Sequence, residues 1–136
     1  RVTFLDIIKK EHEKGKTIFM SSHSFEELES TCDRVALIND GHIVDVADMD
    51  SIRNRETKDF KIEFNTAEDY QRFLQEPYEV IRIQEQYSQV TIRVDAHKTA
   101  ELLHVLKNYN VKFISEIPYT LENHFKKILF AKKENR

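Results

Sequence analysis

The stretch that decides the fold runs from Thr17 to Val44, TIFMSSHSFEELESTCDRVALINDGHIV. Its apolar run Ile18-Phe19-Met20 has the composition of a short buried strand, and the run ends in Ser21-Ser22-His23. Ser24, followed three residues later by Glu27, is a capping box, so a helix is expected to open there. It closes near Thr31-Cys32, and Asp33-Arg34 leads into a second apolar run, Val35-Ala36-Leu37-Ile38. Asn39-Asp40-Gly41 supplies residues that accept positive φ cheaply, which makes a hairpin turn, with His42 to Val46 as the returning strand. This layout puts one imidazole, His23, at the carboxyl end of a strand and beside a helix N-terminus. Open α/β folds bind phosphates at such places.

Upstream, Val2 to Glu13 reads as an amphipathic helix with Phe4, Leu5 and Ile8 on one face, and Gly15 is placed to stop it. Downstream, Asp48 or Asp50 can cap a short helix through Ile52 and Arg55. The 136 residues suffice for one ordinary domain or two small ones. The acidic excess and both glycines lie in residues 1–57, and both prolines lie in residues 58–136, so two units are expected to meet near Glu56–Lys58. A net charge of −3 argues against a general nucleic-acid binder. A single cysteine, Cys32, rules out an internal disulfide and suits a reducing compartment. No apolar run approaches the roughly 20 residues that span a bilayer.

From Lys58 onward the periodicity changes in a regular order. Phe60, Ile62 and Phe64 alternate as in a half-buried strand. Thr66 caps a helix bearing Ala67, Tyr70, Phe73 and Leu74, stopped by Pro77. Glu79 to Glu85 is a strand with Ile81 and Ile83 expected inward, and Gln89 to Val94 is another, with Val90, Ile92 and Val94 alternating. Asp95 caps a helix carrying Leu102, Leu103, Leu106 and Tyr109, and Val111 to Ile117 is a last strand. Thr120 then caps a helix with Leu121, Phe125, Ile128 and Leu129 on one side. The order βαββαβ is that of the ferredoxin-like split βαβ fold, two helices on one face of an antiparallel sheet. The other face is left free, or covered by the last helix or a partner. Residues 58–136 are therefore expected to form an α+β ferredoxin-like domain.

For residues 1–57 the expected fold class, an α/β remnant of a P-loop ATPase core, is what a resemblance implies. GKTIFMSSHSFEELESTCDRVALINDGHIV resembles the switch region that closes the nucleotide-binding domain of ABC transporter ATPases. There a strand ends in a serine-histidine pair, a glutamate-rich helix follows, then an Asp-Arg pair and a hairpin with a glycine turn. The resemblance covers roughly the first 55 residues. It implies that His23 is the switch histidine reaching the γ-phosphate of ATP, with Ser22 as a neighbouring nucleotide contact. The last helix, with Leu121, Glu122 and Phe125, is similar to the accessory domain that follows the core in many ABC-2-type exporter ATPases. No GxxxxGK[ST] phosphate loop, no signature and no apolar run ending in Asp-Glu is present; in the family these precede the switch region. The chain starts at Arg1 without a methionine, and it is expected to be the C-terminal part of such an ATPase. The resemblance implies ATP and Mg2+ as cofactors of the parent, none bound by this fragment, and no hydrolysis by it alone. It also implies a membrane-spanning permease partner, a second copy of the ATPase, no nucleic acid, and a cytoplasmic location on the inner face of the membrane.

Each candidate has a plainer reading. His23 can be a strand-end histidine, and Ser21 and Ser22 can simply hold the loop. Glu26, Glu27 and Glu29 read as a solvated acidic face. Asp33 and Arg34 look structural. Ser22, His23 and Asp33 do not make a triad, because adjacent Ser and His point apart and no nucleophile elbow exists. His12, His42, His97, His104 and His124 are scattered; His97 and His104 lie seven apart, without a Cys/His cluster to complete a metal site. Lys126, Lys127, Lys132, Lys133 and Arg136 make a basic tail. Val90 to Val94 lacks the aromatics and glycine of an RNA-binding sheet. The rival function is a non-enzymatic ferredoxin-like module that binds a small ligand or a second copy of itself. Cut from a larger parallel sheet, the apolar faces bearing Phe4, Ile8, Ile18, Met20, Val35 and Leu37 would lack cover, so a dimer or a strand exchange is expected.

Overall fold

The structure, a computed structural model, describes residues 2–134, with side chains from Phe4 onward. Arg136 of the basic tail lies outside them. Two compact groups of residues are drawn from Arg1–Asn54 with Tyr119–Arg136, and from Arg55–Pro118.

In the first group, α1 spans Val2–Glu13. The chain reverses at Gly15, whose φ of +89° only glycine adopts freely. Leu5 and Ile8 are half-buried, while Phe4 and Ile7 are exposed. The strand expected over Ile18-Phe19-Met20 is absent: residues 16–22 are irregular, and Phe19 is 100% exposed. An apolar triplet becomes a strand only where a neighbouring strand offers a hydrogen-bonding ladder, and among the described residues none pairs with it. The α/β remnant of the sequence reading therefore shows no parallel strand here.

Helix α2 is Phe25–Thr31, entered from Ser24, whose hydroxyl accepts the Glu27 N–H at 3.3 Å. Strands β1 (Arg34–Asn39) and β2 (His42–Asp48) pair antiparallel. Their two-residue turn has both central residues at positive φ, Asp40 at 51° and Gly41 at 75°. A register shift between Leu37 and Ile38 marks a bulge, which changes the side chains β2 turns to each face. Val35 and Ala47 are buried; Ala36, Ile38, Ile43 and Val46 are exposed. Helix α3 (Met49–Arg53) is capped by Asp48, whose Oδ1 accepts the Asp50 N–H at 3.0 Å. Helix α6 (Leu121–Glu134) closes this core: Leu28, Val35, Ala47, Met49, Ile52, Leu121 and Phe125 form one buried cluster. By sequence order this last helix belongs with the strands after residue 58. Its apolar face instead meets α2, the hairpin and α3.

The second group contains β3 (Thr57–Phe64), α4 (Ala67–Phe73), β4 (Glu79–Gln84), β5 (Gln89–Asp95), α5 (Thr99–Leu106) and β6 (Val111–Ile117). The sheet order is β4-β5-β3-β6, antiparallel throughout. Period-two alternation explains its two faces. Phe60 opposes Ile92 and Ile62 opposes Val90, all buried with Phe64, Val94, Tyr70, Phe73, Leu102 and Leu106. Burying each such aliphatic or aromatic side chain contributes about 1.5–3 kcal/mol. On the reverse face, Arg93 clasps its cross-strand partner Asp59 at 2.9 and 3.2 Å, and Gln89 donates to Glu63 at 3.0 Å. Asp95 caps a 3-10 turn, accepting the His97 N–H, and α5 starts only at Thr99.

Edge strand β4 corrects one expectation. Ile81 and Ile83 were expected inward, yet they are 42% and 51% exposed. The strand has a neighbour on one side only, and an irregularity between Val80 and Arg82 breaks its alternation.

Candidate functional site

The segment Ser21-Ser22-His23-Ser24 is held as a compact bend by its own polar groups. The Ser22 hydroxyl donates to the Glu27 carboxylate at 3.0 Å and accepts the Ser24 N–H at 3.0 Å. Ser24 in turn accepts the Glu27 N–H. Serines around a helix start do this readily, because their short side chains offer oxygen to orphan N–H groups. His23 sits inside this closed loop of bonds with its ring exposed. The bend therefore fixes the backbone on both sides of an imidazole that faces outward. A neutral ring offers one N–H donor and one acceptor, enough for a single contact to an oxyanion.

The other sequence candidates are placed as follows. Ser22 is half-buried, with its proton committed to Glu27, so its hydroxyl serves the bend. Asp33 pairs with His12 at 3.3 Å, both side chains being largely exposed, and its carbonyl accepts the Met49 N–H at 2.9 Å. Arg34 is exposed and sits opposite Asp48 in the hairpin. Cys32 ends α2 and is partly buried against the core of the first group. His42, His97 and His104 are exposed, and among the described residues no group of three His, Cys, Asp or Glu could hold a metal ion.

Two polar arrangements were not legible in the sequence. Glu29, expected on a solvated face, accepts the Leu121 N–H at 2.6 Å, and its own carbonyl accepts from Arg53. His124 bridges Asp45 at 3.1 Å through Nε2 and Tyr119 at 2.9 Å through Nδ1. A carboxylate only accepts, so Nε2 donates to Asp45, and in that tautomer of the neutral ring Nδ1 accepts a hydrogen bond from the Tyr119 hydroxyl. Glu29 with Leu121 and His124 with Asp45 join residues far apart in sequence, and no local pattern announces them. Among the described residues no helix is long and apolar enough to cross a membrane.

Over 56 residues, 40% of its length, the chain is 36% identical to the bacitracin transport ATP-binding protein BcrA of Enterococcus faecalis. The chain spans 18% of that protein's length. No protein-family model matches it. The match supports a relationship to the ATP-binding proteins of ABC transporters.

Proposed function

We propose that this chain is the C-terminal part of an ABC transporter's ATP-binding subunit. Residues 1–57 are the end of the nucleotide-binding domain, and residues 58–136 contain a ferredoxin-like accessory domain. The sheet order β4-β5-β3-β6, with α4 and α5 as the intervening helices, supports that second reading. The parent protein couples ATP hydrolysis to export through a membrane-spanning permease, works as a pair of ATPase subunits, and lies on the cytoplasmic face of the membrane.

The observation that carries this is His23. Its imidazole is exposed at a bend braced by Ser22, Ser24 and Glu27, followed by a capped helix and a glycine-turned hairpin. In this reading the ring N–H donates to a terminal phosphate oxygen. A donor preset at the point where charge develops favours the transition state over the ground state. Ser22 keeps the bend in shape. ATP supplies the phosphoryl group and Mg2+ the charge neutralisation; the ligands for the metal and the phosphate loop belong to the parent protein's other segments. The sequence has no GxxxxGK[ST], and its glycines are Gly15 and Gly41, so the chain alone is expected not to turn over ATP.

The test is His23→Ala in the full-length protein, with ATP turnover and nucleotide affinity measured separately. Loss of a single oxyanion donor predicts a fall in kcat of about 10²–10³-fold. Nucleotide affinity should change little. Unchanged turnover overturns the reading.

A further inference from the structure

Helix α2 begins two residues after His23 and carries two kinds of contact to α6. The first is apolar: Phe25, Leu28 and Cys32 pack with Leu121, Phe125 and Ile128, and the Phe25 and Phe125 rings lie 6.2 Å apart, tilted by 50°. The second is polar: the Glu29 carboxylate accepts the N–H of Leu121, the first residue of α6, at 2.6 Å. That N–H is one of the donors a helix start leaves without an intrahelical acceptor, and Leu121 is itself 0% exposed. Thr120 satisfies a second such donor by accepting the Asn123 N–H at 3.1 Å. A negative charge at this end also suits the positive end of the 14-residue helix dipole. Arg53 of α3 donates to the Glu29 carbonyl, so this one residue ties three helices. At the next turn of α6, His124 is fastened to Asp45 of β2.

We infer that Glu29 is a positioning residue for His23. It locks α2 to the start of α6, and α2 carries Glu27, whose carboxylate and N–H brace the bend that presents the imidazole. The inference rests on the reading of His23 as a phosphate contact.

The experiment has two arms. In the chain as it stands, amide hydrogen exchange is compared for Glu29→Ala, Glu29→Gln and the unaltered protein. Losing a helix cap predicts faster exchange of the Leu121 amide and of the α2 amides by about five- to tenfold in Glu29→Ala. Glu29→Gln, which keeps an acceptor oxygen, should recover most of it, and β3–β6 should not respond. In the full-length protein, displacement of a preset donor predicts that Glu29→Ala lowers kcat about tenfold with KM for ATP nearly unchanged. Glu29→Gln should restore it. Because Glu29 acts through His23, the double variant Glu29→Ala/His23→Ala should be no slower than His23→Ala alone.

Unchanged exchange in α2 overturns the lock. Faster exchange with unchanged kcat, in a protein where His23→Ala does abolish turnover, reduces Glu29 to a structural cap and overturns the positioning role. Unaffected turnover in His23→Ala is a different failure, that of the functional reading itself. If Glu29→Ala does not fold, Glu29→Asp, which withdraws the charge by one methylene, carries the same comparisons.

Discussion

Replacing Phe125 by alanine probes the assignment of α6 to the core of residues 25–52. Phe125 is 2% exposed and packs among Leu28, Val35, Ala47, Met49, Ile52 and Leu121. Removing a buried phenyl ring costs its transfer free energy plus that of the cavity left behind, about 3–5 kcal/mol. A small unit has only about 5–15 kcal/mol in total, and this one is held by a single modest cluster, so most of its stability is at stake. For a unit of this size each kcal/mol moves the midpoint by about 4–8 °C, so the transition should fall by roughly 12–40 °C. The matched control is Phe73→Ala, also 2% exposed, which sits in the other cluster against Phe64, Tyr78 and Tyr109. Amide exchange followed residue by residue, together with calorimetry, separates the two. Phe125→Ala should strip protection from α2, β1, β2, α3 and α6 together and leave β3, β5 and α5 protected; Phe73→Ala should do the reverse. The reasoning fails if Phe125→Ala frees only α6 while α2 and the hairpin keep their protection. It fails equally if β3 and β5 lose protection as fully as the hairpin does.

Four further outcomes are expected. Burial raises the pKa of Tyr70, Tyr78 and Tyr109, with Glu85, Glu76 and Glu101, and a hydrogen bond to Glu76 respectively adding to it. A phenol whose folded pKa lies above its unfolded value stabilises the fold fully below pH 10, and that contribution is lost as pH climbs through the folded value. The midpoint of the second group should therefore drop on alkaline titration above pH 10, with three of the five tyrosines ionising late in absorbance at 295 nm; early ionisation of all five would refute this. Gly41→Ala should cost about 1–2 kcal/mol in a denaturant titration, because nothing lies within 4 Å of an added Cβ and the penalty is wholly that of positive φ. Asp59→Asn should cost about 0.2–1 kcal/mol, since its partner Arg93 is only partly shielded from solvent, and the loss should shrink in high salt. The exposed hairpin face of Ala36, Ile38, Ile43 and Val46 should drive dimerisation of the isolated chain, measured by light scattering. Ile38→Lys with Ile43→Lys should return a monomer, and a monomeric unaltered chain would contradict the expectation.

Features that depend on neighbours within a few residues were legible along the chain. Ser24, Asp48, Thr66 and Thr120 announce their helix starts because capping bonds reach only two or three residues along the chain. Asp40-Gly41 announces the hairpin because positive φ is a local demand. The alternation of Phe60, Ile62 and Phe64, and of Val90, Ile92 and Val94, decided which side of the sheet carries the apolar core. The Ser24–Glu27 cap beside His23 was legible for the same reason, whereas the strand expected to end at His23 does not form. Tertiary structure alone decided the rest. Ile18-Phe19-Met20 has strand composition, but a strand also needs a ladder partner, and a triplet cannot say whether one exists. Ile81 and Ile83 alternate like core residues yet lie on an edge, where the missing neighbour leaves them exposed. The apolar stripe of α6 specifies that it must pack, not against which core. The partnership of Glu29 with Leu121 spans 92 residues, a distance over which residue type carries no information until the chain has folded.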